Sequence, residues 1–503
     1  MISIPSFVAE TQSSYRQIFK ATSLFGGVQI LSILISIVRT KFVAIFLGTT
    51  GAGVIGLLNA PLQLIQSVTS LGINFAAVRD ISEAKGENDP SKSARAIATL
   101  RRWSWVTGLF GVVVTLILSP LLSKWTFGNN EYTWAFIWLS CTLLFQTISK
   151  SQSALLQGTR RLKDMAKASV YGSLAGLFTA VPLYYFFGMS GIVPSLIITA
   201  FTGLLLTWHF SKKIPVEPVK MTTRETFYHG GSMVKLGLIL TVTGMIGFLT
   251  GYVLNAFIGR TGGVDQVGLY NAGWTIIGQS TGMVFAAMST DYFPRLSSIN
   301  KDNVSVKMLI NQQAEMVLLI LAPILIFLLV IMPVIIRLFY TPAFLAVVIC
   351  ADWMVISILL KGLVWPVGFL FPAKGDLKAF GLIEIISLIF DLASSMIGYN
   401  LFGLEGLGIS FVINYIFGLT ITLFFAYRKY GFMYDLKVFK EFTVNLLLMV
   451  LAFVVAYVLD TPVSYFAGSC IFIISLSYSL FLLNNKIGLK TLLDNASNIL
   501  KKK

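Results

Sequence analysis

The sequence is short of charge, cysteine and histidine. Asp, Glu, Lys and Arg make up 12% of its 503 residues, about half the share of an ordinary soluble domain. The three cysteines, Cys141, Cys350 and Cys470, all fall inside apolar runs. They read as small packing residues, not as disulfides or metal ligands. His209 and His229 have no metal-ligand spacing, so no metal site is assigned. There is no Walker-type phosphate loop and no Gly-x-Ser-x-Gly elbow, which removes those routes to ATP hydrolysis and to acyl transfer. The loops on one side of the chain are only about four to ten residues long, too short to hold a catalytic domain. These absences argue against an enzyme, and no cofactor is expected.

What is abundant is apolar sequence: 56% of residues, with a mean hydropathy of +0.80. Runs of 18 or more apolar residues recur from Ala21 to Leu483, each able to cross a bilayer core as a helix. Beta-barrel strands would alternate polar and apolar over about ten residues, and these runs do not. About fourteen spans are expected, the first near 22–47, the second near 54–78 and the last near 465–483. Met1 to Lys20 is polar and is followed by a full-length span, so no cleavable signal is expected.

The net charge of +16 is explained by topology, not by nucleic acid. Of 38 Lys and Arg, 31 lie in the two ends and in alternate loops; the opposite loops hold only Lys124, Arg260 and Arg337. That is the positive-inside pattern, with both termini cytoplasmic in an inner (plasma) membrane. Holding anionic lipid is a secondary use of the same charge.

Two distant stretches nearly repeat. "FVAIFLGTTGAGVIGLLNA" from Phe42 lies over "YVLNAFIGRTGGVDQVGLYNA" from Tyr252, and Phe75-Ala-Ala77 answers Phe285-Ala-Ala287. Order, spacing and topology favour duplication over chance. The copies open after an even number of spans, so the repeat is parallel, and such repeats place a substrate path between two bundles. The expected domains are an N-terminal six-helix bundle over 1–210, a linker over 211–235, a second bundle over 236–430, and an extra helix pair with a basic tail over 431–503.

Four cations lie inside spans: Arg39, Lys41, Lys150 and Lys361. A charge there costs about 2.5–3.5 kcal/mol on insertion scales and faces a cavity or a partner. Arg39 and Lys41 read either as snorkelling to the interface or as lining a cavity. The six apolar residues that follow them, Phe42 to Leu47, span about 9 Å of helix and favour the cavity. Asn59, Gln63, Gln66 and Ser70 share one face of the second span. That stripe is either glue between helices or a wet wall. Asn271 opens a weaker version, and Lys150 follows Gln146 by four. A first bundle that is cationic and lacks acid suits an anion such as a phosphate or diphosphate. Asp352, Glu384 and Asp391 sit in the second half instead. They either pair with Lys361 or bind a coupling proton or sodium ion.

These stretches resemble the multidrug/oligosaccharidyl-lipid/polysaccharide exporter superfamily, and within it the O-antigen flippases of the Wzx type. "KFVAIFLGTTGAGVIGL" is similar to the first-loop pattern, with basic residues at Arg39 and Lys41. "YFPRLS" at Tyr292 to Ser297 resembles a Pro-x-Leu-Ser signature. Lys361-Gly-Leu-Val-Trp-Pro-Val-Gly368, Ala373-Lys374 and Glu384 are similar to the common-antigen flippases. The resemblance covers roughly residues 18–430. It implies a MATE-like all-α fold of two pseudo-symmetric six-helix bundles. It also implies passage of an undecaprenyl-diphosphate-linked oligosaccharide by alternating access, in contact with membrane lipids and alongside a polysaccharide polymerase and chain-length machinery. The diphosphate would meet Arg39, Lys41 and Lys361; the sugars would meet the polar wall. The last helix pair departs from the O-antigen pattern and resembles lipid II flippases. Rival readings are a drug or organic-cation antiporter of the same superfamily, which would be expected to carry carboxylates in the first bundle, and a lipid II-type flippase.

Overall fold

The structure, a computed structural model, describes residues 31–86, 89–215 and 221–487, apart from Ile33. The start of the first expected span, part of the 211–235 loop, the side chain of His229 and the basic tail lie outside the described residues. Among the described residues every regular element is a helix. They are α1 (34–46), α2 (Gly48–Thr69), α3 (Ile73–Gly86), α4 (Pro90–Phe127), α5 (Thr133–Gly158), α6 (Leu162–Phe187) and α7 (Ile192–Ser211). There follow α8 (Thr223–Thr261), α9 (Val264–Ser298), α10 (Asn303–Phe339), α11 (Val348–Gly368), α12 (Leu370–Ala373), α13 (Leu377–Tyr430), α14 (Leu436–Val458) and α15 (Val463–Ile487).

Local chemistry sets the ends. Asp89 caps α4 by accepting from the Lys92 N–H, with Pro90 in the first turn, where a missing donor costs nothing. Thr222 and Glu225 satisfy each other's backbone N–H groups at the start of α8, a reciprocal cap. Asp376 caps α13 through Ala379 N at 3.1 Å. Leu71 and Gly72 both take the left-handed region, with φ of 49° and 62°, and two such residues in a row end a helix. The second expected span, 54–78, therefore stops at Thr69, and α3 is a separate helix. Hydropathy alone could not mark that break, because apolar residues continue across it.

Among the described residues, eight helical stretches are long and apolar enough to cross a membrane by length and composition. Two of them, Leu162–Ser211 and Leu377–Tyr430, each hold two of the expected spans. The first is interrupted by a tight turn over Gly188–Gly191. The second bends at Phe402–Gly403, where Gly403 has φ of 60°. The helix α5, which carries Gln146, Lys150 and Gln152, is not among the eight. The protein is a multi-pass membrane protein. At 38 residues, α4 is about 57 Å long at 1.5 Å per residue, well beyond a hydrocarbon core of about 30 Å.

The described chain forms two compact units. The first holds residues up to Gly268 together with Phe339–Thr341; the second holds Leu269–Leu338 and the chain from Pro342 onward. In the first, Leu58, Phe136, Leu139 and Tyr184 join α2, α5 and α6 in one core, and Ile81, Ile97, Leu100 and Leu155 join α3, α4 and α5 in another. In the second, α10 and α11 are the most deeply buried of the candidate spans.

Within the first unit the two copies of the repeat touch. A Cβ on Gly53 would stand 1.9 Å from the Val264 carbonyl oxygen, and one on Gly268 would stand 2.1 Å from that of Thr49. Glycine at each place lets one backbone lie directly on the other. Beside this crossing, the Thr49 and Thr50 hydroxyls both donate to Asp265 Oδ1, at 2.9 and 2.5 Å.

Candidate substrate and ion sites

In the first unit, α1 carries Arg39 and Lys41 less than two turns before it ends at Leu47 and Gly48, where φ is 66°. Both side chains are half-buried. The Lys41 ammonium donates to the Tyr340 carbonyl. Arg39 has no hydrogen-bond or ion-pair partner among the described residues. Two residues apart on a helix lie about 200° apart around it, which accounts for the different surroundings.

On α2 the expected stripe grades from open to closed. Gln63 is exposed, Asn59 and Ser70 are half-buried, and Gln66 is buried. Ser70 turns its hydroxyl back to the Ser67 carbonyl at 3.2 Å. Gln66 Oε1 accepts from Lys150 Nζ of α5 at 2.8 Å, while Gln66 Nε2 is buried without a partner. One end of the stripe is thus glue between helices; the other is open.

In the second unit the expected residues separate. Lys361 Nζ lies 4.8 Å from the centre of the Phe285 ring, a cation–π contact. Ion pairs of this unit include Lys307–Asp435, Lys429–Asp376 and Lys486 with Glu315 and Glu441. Pairing of Lys361 with a carboxylate, one of the two expectations for these residues, is not what the structure has: the ammonium sits on an aromatic face instead. Asp352, 2% exposed, accepts from the Tyr457 hydroxyl of α14 at 3.2 Å. Glu384 is half-buried with no partner among the described residues, and Asn271 is half-buried.

Asp391 has the fullest set of neighbours. Its Oδ1 accepts from Asn414 Nδ2 and, at 3.4 Å, from the Ser395 hydroxyl. Ser394 bonds Asn414 Oδ1, and Ser410 donates to the Ser394 carbonyl at 2.9 Å. These groups join the two arms of α13, and apart from the amide NH₂ they present only oxygen, the donor type that hard cations prefer. Asn414 was not among the expected site residues, although a single amide in an apolar run was the available signal.

Asp376 lies just before α13, and Lys429 and Tyr430, the last two residues of that helix, bond its Oδ2 at 2.6 and 2.9 Å. The Lys429 ammonium, with the Ala379 N–H, holds the Asp376 carboxyl below the usual carboxylate range. Lys374 bonds the Asn300 carbonyl and, at 2.7 Å, Asn303 Oδ1, closing the same corner.

A family profile described as "Polysaccharide biosynthesis protein" matches residues 42–349. The chain belongs to that family. A comparison with curated proteins returns no match. Among solved structures, the fold is similar to a multidrug resistance MATE family transporter of the MOP superfamily in an inward-facing conformation. The TM-score is 0.67 at 14% identity, over 80% of this chain and 94% of that one. It is similar to the lipid II flippase MurJ in an inward closed conformation, with TM-score 0.64 at 14% identity, over 93% of this chain and 99% of that one. A MOP superfamily transporter from Pyrococcus furiosus, described as having a binding pocket of reverse polarity, matches with TM-score 0.56 at 14% identity, over 82% and 96%. The MurJ match leaves about 35 residues of this chain unpaired, fewer than the 23 of α14 and 25 of α15 together. It therefore extends into the C-terminal helix pair of this polysaccharide biosynthesis family member.

Proposed function

We propose that the protein is a flippase that carries an undecaprenyl-diphosphate-linked oligosaccharide, an O-antigen or similar surface repeat unit, from the cytoplasmic to the outer leaflet by alternating access. The observation that carries this is Arg39: a half-buried guanidinium in an apolar helix with no protein partner among the described residues. Such a charge is costly unless a ligand supplies the counter-charge, and a planar fork of donors suits phosphate oxygens. Lys41 and Lys361 are the second tier: one is held by a carbonyl and the other by a ring, and each would exchange that contact for the diphosphate. Asn59 and Gln63, the open end of the α2 stripe, would meet the sugars. The prenyl tail stays in lipid, because apolar surface gains nothing by entering a wet path.

Asp391, with Asn414, Ser394 and Ser395, is the candidate coupling-ion site; Glu384 is a second candidate, and Asp352 a weaker one because Tyr457 already occupies it. The location is a bacterial inner membrane with both termini cytoplasmic. Cysteines placed at Ser91, in the first turn of α4, and Asn130, just past its other end, would be labelled from opposite sides; labelling from one side only would refute that topology. A polymerase and chain-length machinery would take the product.

The test is Arg39→Gln in cells that depend on this protein for surface polysaccharide. Polysaccharide should fall at least tenfold with protein level unchanged. Normal polysaccharide would sink the diphosphate role of Arg39. A lipid II-type flippase is the second reading, favoured by the fold match that reaches the helix pair. It predicts lysis on depletion, whereas the first predicts viable cells without surface polysaccharide.

A further inference from the structure

Three charged side chains meet where α10, α14 and α15 come together. Lys486 Nζ of α15 donates to Glu315 Oε2 of α10 and, at 3.0 Å, to Glu441 Oε1 of α14. Two carboxylates against one ammonium leave one negative charge in excess. Among the described residues Lys486 is the cation bonded to these carboxylates. Lys307 pairs with Asp435 at 3.0 Å, and Lys437, on α14 itself, acts on Glu441 only through space, with no hydrogen bond or ion pair to it. Tyr478 of α15 is the other titratable group near Glu441. Glu441 is 4% exposed, and its Oε2 is buried with no hydrogen-bond partner. An ionised carboxylate so placed is an uncompensated buried charge, which proteins neutralise by taking up a cation or a proton.

A second observation points the same way. One turn along α14, Asn445 donates its Nδ2 to the Glu441 carbonyl at 2.9 Å, which lays the amide over the Glu441 turn. Its Oδ1 is fully buried and has no partner. On α15, Ser479 and Ser475 lie seven and eleven residues before Lys486 on its helical face, and both hydroxyls are buried without partners. The unpartnered atoms of Glu441, Asn445, Ser475 and Ser479 are all oxygens. An alkali cation added beside the Lys486 ammonium would be repelled by it. A proton that settles on a carboxylate oxygen removes the excess charge without adding a second cation.

We propose that Glu315, Glu441 and Lys486 form a proton-binding site at the seam between α10 and the C-terminal helix pair, with the proton carried on Glu441 Oε2. Binding takes the cluster from one net negative charge to none, and no covalent bond other than O–H forms or breaks. The site shares no residue with the Asp391 cluster and does not depend on which substrate is moved.

Infrared difference spectroscopy of the full-length protein in lipid nanodiscs tests this, stepping the buffer from mildly alkaline to mildly acidic. A carbonyl band of a buried protonated carboxyl should grow on acidification and should survive Asp391→Asn. Glu441→Gln should remove the component assigned to this site. Glu315→Gln should remove it too, because the remaining pair is then neutral without a proton. Lys486→Gln, which takes away the ammonium, should strengthen it. No band in the wild type, or a band unchanged in Glu441→Gln, would overturn the proposal. If Glu441→Gln does not give monodisperse protein, Glu315→Gln decides: loss supports the site and full retention overturns it.

Discussion

Lys150 Nζ donates to Gln66 Oε1 at 2.8 Å, so the one cation of α5 is spent on the polar stripe of α2. A hydrogen bond to a charged group contributes about 1.5–3 kcal/mol, and less here because Lys150 remains exposed and screened by solvent. Lys150→Met and Gln66→Leu, singly and together, should show a coupling of about 1 kcal/mol in unfolding experiments. Simple additivity of the two changes would mean that the contact contributes nothing.

The Asp391 cluster predicts ion dependence. Asp391→Asn keeps the shape and the bonds to Asn414 and Ser395 but loses the charge. Transport in proteoliposomes should then stop responding to an imposed proton or sodium gradient while substrate binding persists. A gradient response equal to wild type would remove the coupling role.

The glycine crossing predicts a sharp steric asymmetry. Gly53→Ala and Gly268→Ala each drive a methyl group into a backbone carbonyl at about 2 Å, and forced overpacking costs about 1–3 kcal/mol. Gly278→Ala, with nothing within 4 Å of the new carbon, should be neutral or slightly stabilising, because alanine is the better helix former. Thermal unfolding of the three variants in one detergent compares them directly, and equal midpoints would contradict the crossing.

At Asp376 the sign of the pH effect is fixed. Its folded-state pKa is depressed by the Lys429 contact. The stabilisation is therefore complete above the unfolded value of about 3.9 and is lost as pH falls through the folded value. The pair is partly exposed, with 42% of the Lys429 side chain open, so its contribution is at most about 1 kcal/mol. Lys429→Met should lower the unfolding temperature at neutral pH, less so at high salt, and the gap to wild type should close as pH falls below about 3.9 and through the folded value. A gap that stays constant across that range would show that the ion pair is not its cause.

Much of the fold was legible in the sequence because helix in a membrane is nearly obligatory for an apolar run. The face shared by Asn59, Gln63, Gln66 and Ser70 follows from helical period alone. What could not be read were partners. Nothing in sequence places Phe285 under Lys361, Tyr457 on Asp352 or Asn414 on Asp391, since each pair joins different helical segments. Glu315, Glu441 and Lys486 went unremarked for a related reason. Each is a charge near a span end, where snorkelling is the ordinary explanation, and only packing turns the three into a cluster.

The bend at Phe402–Gly403 also bears on how the chain is made. Asp391 leaves the ribosome 23 residues ahead of Asn414, its amide partner across the bend. A lone carboxylate is among the costliest passengers for the insertion machinery. The two arms of α13 are therefore expected to enter the bilayer as one preassembled hairpin, held at the translocon until the second arm arrives to cover the first.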